Sequence, residues 1–81
     1  MKLFYTHQFK TKFHPLSSEI KKKFKKQAGY LLKDLRHPSL RAKKYDEARD
    51  IWQARVDKYY RFYFLISGNT YILLDIKIHP K

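Results

Sequence analysis

From Ile51 to His79 apolar and polar positions alternate in three successive runs, and this period of two predicts three consecutive β-strands. In the middle run Tyr60, Phe62, Phe64 and Ile66 fall on one side and Tyr59, Arg61, Tyr63 and Leu65 on the other. The last run sets Ile72, Leu74, Ile76 and Ile78 against Tyr71, Leu73, Asp75, Lys77 and His79. The first sets Trp52, Ala54 and Val56 against Gln53 and Arg55. Ser67-Gly68-Asn69 reads as a hairpin turn, Gly68 and Asn69 both tolerating positive φ, and Asp57-Lys58 as the other reversal. Two tight turns in succession make an antiparallel meander. One of its faces is apolar and needs cover, while the other mixes aromatic and cationic groups.

The preceding chain supplies the cover. Lys2 to Thr6 is a short aromatic strand that joins the meander as an edge or central partner. From Gln8 the spacing of Phe9, Phe13 and Leu16 is that of one helical face, until Pro15 interrupts it. Ser17-Ser18-Glu19 then provides a serine N-cap and an early carboxylate. A long helix follows, with an apolar stripe of Ile20, Phe24, Ala28, Leu31 or Leu32, and Leu35, ending before His37-Pro38. Ser39 to Asp50 reads as a polar loop, with at most a helical turn. The order is strand, helix, helix, then a three-stranded antiparallel meander, an α+β class in which the helices pack on one face of the sheet. Residues 1–81 make a single domain.

Charge changes the picture more than length does. Nineteen Lys and Arg against seven Asp and Glu give a formal net charge of +12, which points to a polyanionic or strongly acidic partner. Five lysines, Lys21, Lys22, Lys23, Lys25 and Lys26, crowd the polar side of the long helix, either as a solvated face or as phosphate contacts. The chain has no cysteine, which excludes disulfides and thiolate metal sites. The four histidines are scattered, so no metal or other cofactor is expected. Its longest apolar run, Phe62 to Ile66, is far short of the roughly 20 residues of a membrane span. The amino terminus lacks the apolar segment of a signal peptide, so the expected location is cytoplasmic and no membrane partner is expected.

Several segments fall in one order: Leu35-Arg36-His37-Pro38-Ser39-Leu40-Arg41-Ala42-Lys43-Lys44 closing the long helix, then Asp50-Ile51-Trp52-Gln53-Ala54-Arg55-Val56, Tyr60-Arg61-Phe62-Tyr63-Phe64 and Ile76-Lys77-Ile78-His79. Together, over nearly the whole chain, they resemble the RelE/ParE superfamily of toxins from bacterial and archaeal type II toxin-antitoxin systems. The resemblance implies a twisted antiparallel sheet with two amino-terminal helices on one face. It also implies a cognate antitoxin with an acidic or amphipathic tail, and a hetero-oligomer with that antitoxin as the resting form. Ribosome-dependent members cleave mRNA on the ribosome without metal, by attack of a ribose 2′-OH on the neighbouring phosphate. Others inhibit DNA gyrase and cut nothing. A basic RNA-binding module without catalysis is the third reading of the same charge pattern.

By match to the family pattern, Arg61 contacts the scissile phosphate, Arg55 lies close to it across the turn, and His79 serves as acid or base. Arg41, Lys43 and Lys44 match the basic loop that positions RNA. Alternation puts Tyr59, Tyr63, Tyr71 and Lys77 on Arg61's face, where tyrosines can stack on bases and a lysine can hold phosphate. The chain departs from ribosome-dependent members in two places. It reads His79-Pro80-Lys81 where they often run on to a tyrosine, and Gln53 where they can carry lysine.

Overall fold

Thr6 and Ser17 start the two helices in the same way: in the computed structural model, which describes residues 1–79, each hydroxyl accepts the backbone amide three residues on, Phe9 and Ile20 respectively. Helix α1 runs His7–Phe13 and α2 runs Ser18–Lys33. Thr6 also donates its hydroxyl to the Leu73 carbonyl at 2.7 Å, tying the start of α1 to the sheet. Helix α2 ends earlier than the stripe predicts. Asp34 is its extended C-cap, and the Asp34 carboxylate accepts the Arg36 amide at 2.9 Å, so an Asx turn competes with the last helical bonds. Leu35 lies past the helix yet still packs on the core.

The strands are β1 (Lys2–Tyr5), β2 (Lys43–Asp46), β3 (Ile51–Arg55), β4 (Tyr60–Ser67) and β5 (Thr70–Ile78). They form one sheet of order β1-β5-β4-β3-β2, in which β1 pairs parallel to β5 at one edge and the other pairs are antiparallel. The meander and the β1 edge agree with the sequence reading. The loop assigned to Ser39–Asp50 does not, because it contains β2, four mostly charged residues whose ladder comes from the well-patterned β3. Charged residues on a short edge strand are a usual guard against edge pairing, and they hide the strand from a hydrophobicity pattern. At the Ser67–Thr70 hairpin only Gly68 takes positive φ, at 57°.

A second difference has a wider consequence. In the β4–β5 ladder Tyr63 pairs with Asp75 and Phe64 with Leu73, so Leu74 is an extra residue in β5. This bulge inverts the alternation upstream of it. Ile76 faces the helices as predicted, but so do Leu73 and Tyr71, not Ile72 and Leu74. Below the sheet Phe9, Phe24 and Phe62 pack edge or tilted, with ring centroids 5.3 Å apart for Phe9 and Phe24 and 5.2 Å for Phe24 and Phe62. Leu31, Leu40, Phe64 and Leu73 complete the fully buried set. No helix among the described residues is long and apolar enough to cross a membrane. Pro80 and Lys81, where the chain departs from the tyrosine-ended pattern, lie outside the described residues.

Candidate functional site

The site is built around the turn between β3 and β4. The Asp57 carboxylate accepts the amides of Tyr59 and Tyr60, both at 2.8 Å, and the Val56 amide donates to the Tyr60 carbonyl at 3.0 Å. Burial works to raise the Asp57 carboxyl, but those two amides and Lys23, whose Nζ lies 3.3 Å away, outweigh it and hold the group below the ordinary carboxylate range. A turn fixed in this way sets the register of the strands that leave it. Arg55 faces Arg61 directly, and Arg61 faces Lys77 on the neighbouring β5, so three cations form one row on the face away from the helices.

The two arginines are held differently. Arg61 donates from Nη1 to the carbonyls of Asp57 (2.7 Å) and Tyr60 (3.0 Å), which orients the guanidinium and leaves its Nε and Nη2 donors free among the described residues. Arg55 is anchored through its backbone. Its amide donates to the Leu40 carbonyl at 2.8 Å, and its carbonyl accepts from Gln27 Nε2 at 2.8 Å. Gln27, buried in α2, also donates to the Ser39 carbonyl and accepts the Ser39 hydroxyl at 2.7 Å, so one side chain joins helix, loop and β3. The Arg55 Nε is buried with no hydrogen-bond partner among the described residues.

Arg41 completes the cluster from the loop before β2, in the left-handed region at φ 46°, a conformation uncommon for a side-chain-bearing residue. Burial, then Arg55, and more weakly Arg41 push the Arg61 guanidinium below its ordinary value. No carboxylate pairs with Arg41, Arg55 or Arg61 among the described residues. Three guanidiniums without a carboxylate partner, kept together by the fold, have the charge to attract an anion, and their forked donors match the geometry of a phosphate.

The other predicted residues divide. Lys77 and Tyr63 are on the open face as expected, with the Lys77 Nζ 5.0 Å from the Tyr63 ring centre. Tyr63 is only 4 % exposed, however, because Tyr45 stands against it edge-on at 4.8 Å. The exposed ring over Tyr63 is therefore Tyr45, in the strand that the sequence pattern did not show. Burial, then Tyr45 and Asp75, raise the Tyr63 hydroxyl above its ordinary value, so it is a neutral donor here. Tyr59 is exposed. Tyr71 corrects the expectation: the bulge turns it to the covered face, where it meets Phe64 edge-on and is buried in the core.

Lys43 and Lys44 also separate, since neighbours in a strand point to opposite faces. Lys43 pairs with Gln53 on the open face, whereas Lys44 pairs with Trp52 and stands over its ring, bonded to Asp50 with Glu47 nearby. His79 is exposed beyond the end of β5, and its amide donates to the Tyr59 carbonyl at 2.7 Å, which keeps the ladder going to this residue. A groove of about 610 Å³ opens beside the arginines, between α2 and the β3–β4 turn. Two lysines of the α2 run, Lys23 and Lys26, line it with Arg41, Arg55 and Lys58.

No protein-family model and no curated protein sequence matches the chain. Solved structures do. A YoeB/ParE toxin from Agrobacterium tumefaciens superposes with a TM-score of 0.80 at 14 % identity, covering 99 % of this chain and all of that one. The toxin-antitoxin complex RelBE2 from Mycobacterium tuberculosis gives 0.75 at 21 % identity over 99 % of this chain and 92 % of that one. The RelB-RelE antitoxin-toxin complex from Methanococcus jannaschii gives 0.74 at 18 % identity over 93 % and 88 %. The chain has the fold of the RelE/ParE toxins.

Proposed function

We propose that this chain, with its RelE/ParE fold, is the toxin of a type II toxin-antitoxin pair and an endoribonuclease that cleaves mRNA on the ribosome. The observation that carries the reading is the cluster of Arg55 and Arg61 on the open sheet face with Arg41 from the loop beside them, none paired with a carboxylate among the described residues, in a protein of net charge +12. Several solved neighbours are toxins bound to their antitoxins, which supports an antitoxin as the resting partner of this chain.

Cleavage follows from what the row can do, by the metal-independent route that the sequence resemblance implies. As the ribose 2′-oxygen attacks, negative charge builds on the equatorial phosphoryl oxygens. Arg61, already aimed by its two carbonyl bonds, meets that charge with its remaining donors, and Arg55 offers a second fork from the opposite strand. As the 2′-O–P bond forms and the P–O5′ bond breaks, His79 beyond the end of β5 either takes the 2′-OH proton or delivers one to the leaving 5′-oxygen, and water makes the other transfer. Lys77 and Lys43 hold flanking phosphates, and Tyr45 and Tyr59 offer exposed rings to bases. Lys44, neutralised by Asp50, steadies β2.

Induced expression tests this reading. Growth arrest with new 5′ ends inside translated messages, lost in Arg61→Ala and relieved by a neighbouring gene's small acidic-tailed product, is the expected result. Arrest with intact messages and relaxed plasmid DNA would instead identify a gyrase inhibitor.

A further inference from the structure

The groove between α2 and the β3–β4 turn holds five basic side chains, Lys23, Lys26, Arg41, Arg55 and Lys58, and one carboxylate, Asp57. That carboxylate is already engaged: Lys23 reaches it at 3.3 Å and Glu19 at 3.4 Å, so Lys23 and the acid neutralise one another within the wall. Lys26, Lys58, Arg41 and Arg55 pair with no carboxylate among the described residues. Four free cations around about 610 Å³ give a concave anion site, and the buried unpartnered Nε belongs to one of its lining residues, Arg55. Arg55 is also the link to the sheet, since its strand position pairs with Arg61.

We infer that this groove is a second phosphate-binding site, which carries the backbone of single-stranded RNA away from the arginine row, with Lys26 and Lys58 as its outer contacts. The inference rests on RNA being the anion bound at Arg61. A protein tail is the poorer occupant. Protein interfaces take their stability from apolar anchors seated in pockets. Among the described residues Pro38 and Val56 are the only apolar ones in the lining, and Val56 is buried. A polyanionic backbone needs only the cations, and Gln27 and Ser39 keep the inner wall in place through their mutual bond.

The test is fluorescence anisotropy of a labelled single-stranded RNA with the purified full chain over a range of salt. Lys26→Ala with Lys58→Ala should flatten the slope of log affinity against log salt by about 1.4, from about 0.7 per single-strand phosphate contact. Lys22→Ala with Lys25→Ala removes the same charge from residues outside the groove and should leave the slope at its wild-type value. Equal slopes for the two double variants would overturn the inference, as would a poly-glutamate peptide that binds more tightly than RNA with the same dependence on Lys26 and Lys58. Failure of the nuclease reading looks different: messages stay intact on induction while the dependence of RNA binding on the groove persists.

Discussion

Arg55 and Arg61 sit directly opposite one another on β3 and β4, two like charges at paired positions with no carboxylate joined to either among the described residues. Such a pair costs the fold stability, as does the buried unpartnered Nε of Arg55. Arg55→Met keeps the length of the side chain and removes both penalties. It should raise the stability by about 1 kcal/mol, a shift of about 4–8 °C in melting temperature for a domain of this size, measured by calorimetry. The same variant should be less toxic on induction.

The turn that opposes these arginines depends on Asp57. Its folded pKa is depressed, so its contribution is fully present above the ordinary value of 3.8 and is lost as pH falls through the lower folded value. Asp57→Ala removes the acceptor for two amides and should cost about 1–2 kcal/mol at neutral pH. Asp57→Asn keeps a carbonyl for those amides and should cost less, and its unfolding free energy should fall less steeply than wild type below pH 3.8. Denaturant titrations across the acid range measure both.

Gln27 makes three hydrogen bonds from a buried position in α2. Gln27→Leu keeps a side chain of similar size but strands the carbonyls of Ser39 and Arg55 and the Ser39 hydroxyl. A loss of about 2–3 kcal/mol in urea unfolding is expected.

Tyr71 separates the face assigned by alternation from the face found in the fold. As a core residue it should tolerate Tyr71→Phe with unchanged growth arrest, whereas Tyr71→Ala should lose about 3–5 kcal/mol. If Tyr71→Phe abolished arrest while melting normally, the tyrosine would belong to the site after all.

The parts of the site that the sequence made legible are those set by strict alternation away from the bulge. Arg55, Arg61 and Lys77 share a row because the β3–β4 register and the end of β5 obey the period of two. Tyr71 was misplaced because one residue, Leu74, is inserted in the ladder, and an apolar residue in an apolar run gives no sign of it. Strand β2 was missed for the opposite reason, since Lys43-Lys44-Tyr45-Asp46 carries charge on both faces and forms only against β3. Two further residues carry a signal in the sequence itself. Gln27 interrupts the apolar stripe between Phe24 and Leu31, where a polar side chain must find partners, and Leu40 is the one large aliphatic residue between Ser39 and Asp50 and is fully buried.

The central claim is that the Arg61 row serves attack by a ribose 2′-OH, and purified protein added to ribosomes stalled on a defined message tests it most directly. The prediction is a single cut in a chelator-containing buffer, leaving a 2′,3′-cyclic phosphate. A 2′-deoxy substitution at the cut nucleotide, or Arg61→Ala, should abolish it. Cleavage that persists with the deoxy substitution, or a message left intact by a preparation that still arrests growth, would contradict the account.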